Sequence, residues 1–238
     1  MKYWWSEKME HTERLNLAKD VGKRIIQKYG KDNVLSVGIY GSVARNEDNE
    51  FSDLEMIVIT KKKDFMKHYI YKDTTVTIIG TSFKNAIKMI RKIDEQWSLR
   101  PGYLIHQKII FGDKKIINKF KKEVESVKEN DLKKAAENQI SWMYENLNKI
   151  KTANKVKSRG KMLFTLTFYT IQANLFVGLL NKYVYIRQGF DALKEAKKLK
   201  KLPQNYYKLM MILYENTDLE EITKAASELF NNCQELLK

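Results

Sequence analysis

Two runs set the architecture: Val34-Leu35-Ser36-Val37-Gly38-Ile39-Tyr40-Gly41-Ser42-Val43-Ala44-Arg45, and Ser52-Asp53-Leu54-Glu55-Met56-Ile57-Val58-Ile59-Thr60. Each is short, rich in β-branched residues and bounded by polar or glycine positions, which predicts a pair of strands. Before them, Leu17, Val21 and Ile25 recur at four-residue spacing, so residues 7–29 read as a helix that Gly30 ends. After them, residues 69–79 read as a third strand, 83–93 as a helix and 106–111 as a fourth strand, closed by Gly112-Asp113. Residues 43–52 are polar and charged, and read as a connection.

Beyond about Lys114 the texture changes to Lys, Glu, Ala, Leu and Asn. Helices are predicted near 115–128, 131–152, 159–181, 189–199, 204–214 and 218–236. Pro203 separates the fourth from the fifth, and Asp218 with its neighbours offers an N-cap to the last. The only β-rich run in this half is Tyr183-Val184-Tyr185-Ile186. The fold class is therefore α/β plus all-α: a mixed β-sheet domain with helices, expected over 1–125, then a C-terminal helical bundle over 126–238.

With 10 Gly and 2 Pro in 238 residues, a turn-rich sandwich or barrel is disfavoured. The single Cys233 excludes an intrachain disulfide and a cysteine zinc cluster. No apolar leader opens the sequence, which predicts a cytoplasmic protein. Met162–Asn181 is uncharged and of membrane-spanning length, but Thr165, Thr167, Thr170, Gln172 and Asn174 make it a buried bundle helix, so no membrane partner is expected. Lys and Arg number 44 against 29 acids, a formal charge of +15, which favours an anionic partner. From Asn146 to Phe190 there is no acid but eight basic residues, whereas the run Lys194–Lys201 reads as solvated surface.

Chemistry concentrates at the first two runs. Gly41 lets the chain turn closely, and Ser42 offers a hydroxyl and local N–H groups to a phosphate. Arg45, one turn on, reaches the same anion. Asp53 and Glu55, two apart in a strand, point to one face. Their mutual repulsion is relieved by a hard divalent cation, Mg²⁺ or Mn²⁺. Together they describe a holder for a metal–nucleoside triphosphate whose α-phosphorus is attacked by a substrate hydroxyl. His11, His68 and His106 lie far apart in sequence and read as surface or packing residues, as Trp4, Trp5, Trp97 and Trp142 read as packing, with an aromatic wall for a base or sugar beside Glu145 the less favoured reading of Trp142.

The run Tyr40–Arg45 with Phe51–Met56 resembles the motif of the DNA polymerase β-type nucleotidyltransferase superfamily, and more closely that of the kanamycin (aminoglycoside) nucleotidyltransferases. Lys28-Tyr29-Gly30, Trp97-Ser98-Leu99, Gly178-Leu179-Leu180, Tyr185 and Leu202-Pro203 extend the likeness along the chain. The resemblance implies a nucleotidyltransferase-type sheet domain, a helical domain for substrate binding and dimerisation, and a homodimer with sites at the subunit interface. Ser42 and Arg45 match triphosphate-binding residues, and Asp53 and Glu55 match metal carboxylates that are also catalytic. Glu145-Asn146-Leu147-Asn148-Lys149 matches a Glu-x-x-x-Lys in which Glu145 is the base and Lys149 contacts phosphate; i,i+4 spacing places both on one helix face.

One position departs. The third carboxylate of the family falls on Thr77, and a lysine two residues earlier falls on Thr75. The nearest acid, Asp73, is expected on the same strand roughly 13 Å away. The basic helices favour an anionic or macromolecular acceptor, such as RNA or an acidic protein, over a polycationic aminoglycoside. The alternatives are a nucleotide-binding module with weakened catalysis and a nucleic-acid-binding protein using the basic helices.

Overall fold

The computed structural model describes residues 8–238; Trp4 and Trp5 lie outside them. The described residues form two compact units, one of residues 8–92 and 101–126, the other of 93–100 and 127–238. Each is described by itself.

The first unit is built on a five-stranded mixed sheet in the order β3-β4-β2-β1-β5. Its strands are β1 (Val34–Tyr40), β2 (Leu54–Thr60), β3 (Phe65–Tyr71), β4 (Thr74–Ser82) and β5 (Lys108–Gly112). β2 and β4 are parallel, while the other neighbours are antiparallel. The helix α1 (His11–Tyr29) lays Ala18 and Ile25 into a core with Val37 and Ile39 of β1, Met56 and Val58 of β2, and Val76 and Ile78 of β4. Alternate residues of β4 (Val76, Ile78) are buried there, while Thr75 and Thr77 face the other side half-buried. The short helix α2 (Gly41–Arg45) occupies part of the expected connection. The unit is completed by α3 (Phe83–Arg91), α4 (Gly102–Ile105) and α5 (Ile116–Ser126).

One expectation is corrected. Residues 69–79 are not a single strand but parts of a hairpin, β3 and β4, turning at Lys72 and Asp73. Both turn residues have positive φ, 45° and 57°, the handedness that two-residue hairpin turns require. Asp73 therefore sits in the turn rather than in the strand that carries Thr77.

The second unit is helical: α6 (Glu129–Lys155), α7 (Arg159–Leu180), α8 (Phe190–Ala196), α9 (Tyr206–Glu215) and α10 (Leu219–Glu235). α6 and α7 pack along their lengths, and α10 packs against α6 and α9. α7 has the length and composition of a membrane span, yet Met162, Leu166, Tyr169, Ala173, Phe176 and Val177 are all buried within the protein. The Tyr183–Ile186 run is irregular rather than a strand. It is held because Tyr185 donates its N–H to the Ser98 carbonyl (2.8 Å) and its hydroxyl to the Asn174 carbonyl (2.8 Å). Gly178 is required at this joint: a Cβ there would meet Ser98 Oγ and Tyr185 Cε2, each at 2.6 Å. Trp97 is fully buried, whereas Trp142 is 53% exposed, so the expected packing role fails for Trp142.

Candidate active site

The antiparallel register of β1 and β2 sets Tyr40 opposite Glu55. Gly41 then turns with φ 74°, a conformation that side chains resist, and Glu55's carboxylate lies over it so closely that no Cβ fits. Tyr40 donates its hydroxyl to Glu55. Burial raises the Glu55 carboxyl above the ordinary range and the charge of Asp53 adds to this, while the Tyr40 hydrogen bond and Arg45 oppose it. Burial and the neighbouring Glu55 also push the Tyr40 phenol well up. Tyr103 places its ring 6.0 Å from that of Tyr40. Asp53 is exposed and immediately precedes β2. Arg45 Nε donates to Glu47 Oε2 at 2.7 Å. The structure thus brings Gly41, Ser42, Arg45, Asp53 and Glu55 into one corner of the sheet unit.

The sheet register continues outward from Glu55. Thr77 is its partner on β4, and His68 on β3 is the partner of Thr77. His68 Nδ1 lies 3.0 Å from Thr77 Oγ1. A row Tyr40, Glu55, Thr77, His68 therefore crosses four strands, with an imidazole leaning on the threonine where a third acid was sought. His68 is not legible in the sequence as the partner of Thr77, because the Lys72-Asp73 turn that pairs them carries no glycine to mark it.

A second group was also missed. Arg14, on α1, donates through Nε to the Ser52 carbonyl (3.1 Å) and through Nη1 to Asp48 Oδ2 (3.0 Å). His11 Nδ1 lies 2.6 Å from Asp48 Oδ1. The Arg14 and Asp48 side chains are 1% and 2% exposed. This buried pair clamps the loop that ends at Asp53. Nothing local signals it, since the partners are 34 residues apart.

The other two predicted site residues belong to the helical unit. Glu145 and Lys149 lie one turn apart on the exposed face of α6, with Lys149 Nζ 2.6 Å from Glu145 Oε1. Met143, Leu147 and Ile150 are buried behind them. Lys149 also lines a hollow of about 250 Å³ with Thr152, Lys161 and Phe164.

Two carboxylates beside a phosphate-sized turn suit a hard divalent cation with free coordination positions. Among the described residues no cluster of three or more His, Cys, Asp or Glu is arranged to hold a metal. The donors Asp53 and Glu55 therefore fit such an ion only if oxygens of a bound ligand complete its shell.

The sheet with its Gly41–Arg45 turn and the mostly helical C-terminal part define a nucleotidyltransferase-type architecture. Residues 114–238 match the model of the KNTase C-terminal domain. That is more than half of the chain, and the protein belongs to this family. It is 24% identical over 233 residues to an aminoglycoside nucleotidyltransferase (4') of Staphylococcus aureus, covering 95% of this chain and 91% of the relative. It is 25% identical over 235 residues to an aminoglycoside nucleotidyltransferase (4') of a Bacillus species, again covering 95% and 91%. A solved structure, a nucleotidyltransferase-like protein from Exiguobacterium sibiricum 255-15, superposes with a TM-score of 0.46 at 14% identity, over 94% of this chain and 74% of that one. The family match and the two aminoglycoside nucleotidyltransferase relatives support a nucleotidyl transfer function.

Proposed function

We propose that the protein transfers a nucleoside monophosphate from a metal–nucleoside triphosphate to a hydroxyl acceptor and releases pyrophosphate. The observation that carries this reading is the Tyr40–Glu55 register, which stacks a carboxylate over the Gly41-Ser42 turn with Asp53 beside it. Asp53 and Glu55 would hold Mg²⁺ or Mn²⁺, which when bound neutralises triphosphate charge and polarises the α-phosphorus. Gly41 and Ser42 present backbone N–H groups and a hydroxyl to the phosphates, and Arg45 adds a guanidinium. Glu145 accepts the proton of the acceptor hydroxyl as its oxygen bonds to the α-phosphorus. The bond to the bridging oxygen breaks, and pyrophosphate leaves. Lys149, one turn from Glu145, contacts phosphate.

Residues 1–125 serve as the nucleotidyltransferase domain and 126–238 as the substrate-binding and dimerisation domain. The protein works in the cytoplasm as a homodimer. The acceptor is anionic or macromolecular, RNA or an acidic protein, rather than the aminoglycoside named for the relatives, because the chain carries +15 and α6 runs into an acid-free basic stretch. A second reading rests on Thr77: a hydroxyl beside Glu55 cannot supply a carboxylate's charge, so the protein binds nucleotide with little turnover.

Calorimetric titration with ATP, GTP, CTP and UTP, with and without Mg²⁺, tests both. Magnesium-dependent binding that is lost in Asp53→Asn/Glu55→Gln is expected, and pyrophosphate release then separates the readings. Absence of binding by every triphosphate rejects both.

A further inference from the structure

The run Lys194–Lys201 reads in sequence as solvated surface, but the structure gathers its end around a cavity. This cavity, about 440 Å³, is built from residues of the helical unit and lined by Lys133, Lys182, Lys200, Lys201 and Lys238 against one acidic side chain, Glu129. The turn bearing two of these lysines is fixed by Asn181. Its Oδ1 accepts the backbone N–H groups of Lys200 (3.2 Å) and Lys201 (2.9 Å), and its Nδ2 donates to the Lys201 carbonyl (2.8 Å). Asn181 is itself tied to the end of α7 through the Val177 carbonyl (2.8 Å).

The lysines are not equivalent. Lys182 Nζ donates to the Val127 carbonyl at 2.6 Å, and Lys238 Nζ pairs with Glu235 at 2.6 Å. Lys133, Lys200 and Lys201 have no side-chain partner among the described residues. Three ammonium groups from two elements thus converge on one concavity whose backbone is held in place before any ligand arrives. Converging like charges repel, and a multiply charged anion relieves that repulsion. The volume falls in the range of small-molecule sites and is too small for a duplex.

We propose that this cavity binds a small polyphosphate, either a free condensed phosphate or the phosphate chain of a nucleotide, independently of the metal carboxylates. The assignment stands whether or not the nucleotidyl-transfer reading holds.

The test is calorimetry on the full chain in EDTA with sodium tripolyphosphate, and in a second arm ATP, which separates the two sources. Two proteins are compared with wild type: Lys133→Ala/Lys200→Ala/Lys201→Ala and the charge-matched control Lys19→Ala/Lys62→Ala/Lys84→Ala. Tripolyphosphate binding is expected to weaken about tenfold or more in the cavity variant, as three exposed charge contacts imply. Affinity within a factor of about two is expected for the control. No binding, an equal loss in the control, or an unchanged cavity variant overturns the proposal. Single-stranded RNA binding more tightly than tripolyphosphate, with the same loss in the cavity variant, overturns the small-ligand assignment.

Discussion

At the scale of single residues, the loop before β2 rests on a buried ion pair. Removing one partner strands the other charge away from water, so Asp48→Ala is expected to lower stability by about 3–5 kcal/mol. The double change Arg14→Met/Asp48→Leu is expected to cost clearly less than the two single changes summed, because no buried charge is left unpaired. Urea denaturation of the three variants measures this; additive losses would deny the coupling. The row ending at Thr77 makes a second prediction. Thr77→Asp puts a third carboxylate one strand spacing from Glu55, about 4.8 Å away. In EDTA the variant should melt below wild type through repulsion, and in saturating Mg²⁺ the gap should close or reverse. Each kcal/mol regained corresponds to about 2–4 °C for a chain of this size. A gap indifferent to Mg²⁺ would place the metal elsewhere.

At the scale of elements, α10 begins at a cap that the sequence announces. Asp218 Oδ1 accepts the N–H groups of Glu220 (2.7 Å) and Glu221 (3.0 Å). Those backbone hydrogen bonds hold its carboxyl below the usual aspartate range. With the folded pKa depressed, the stabilisation is present above the unfolded aspartate pKa and is lost as pH falls through the folded one. Asp218→Ala should therefore melt below wild type at neutral pH, and the two melting curves should converge in acid. A difference constant with pH would show that the charge plays no part. Elements also explain how legible the chain was. β1 and β2 were plain as short β-branched runs buried on both faces, α6 as a run whose buried residues recur at helical spacing, and α7 as a long uncharged run. The β3–β4 hairpin was not, because Lys72 and Asp73 lack the glycine that usually marks positive φ, and β3 is an exposed edge strand with Met66 68% and Ile70 75% exposed. No residue of β3 is fully buried and its half-buried face stops after Phe65 and Lys67, so little alternation is there to read.

At the scale of the whole molecule, each unit has its own buried core, one around Ile39, Met56 and Val76, the other including Tyr169, Ala173 and Phe176. Multi-unit chains depart from two-state unfolding. Calorimetry is expected to resolve two transitions. Ile39→Ala should lower one and Phe176→Ala the other, at costs of about 2–5 and 3–5 kcal/mol respectively. Mg²⁺ with nucleotide should raise the transition that Ile39→Ala lowers. A single transition shifted equally by both substitutions would mean that the two cores unfold as one.

The sequence by itself determined α1, β1 and β2, the change from mixed sheet to helices, and the Gly41–Arg45 and Asp53–Glu55 runs, because periodicity and close spacing are local properties of a chain. Only the tertiary structure decided that Tyr40 meets Glu55, that His68 leans on Thr77, that Arg14 holds the loop before Asp53, and that Lys133 shares a cavity with Lys200 and Lys201. Those pairings depend on strand register, on a hairpin turn and on packing between helices. Such long-range contacts are set by burial of whole faces, and no single stretch of residues encodes them.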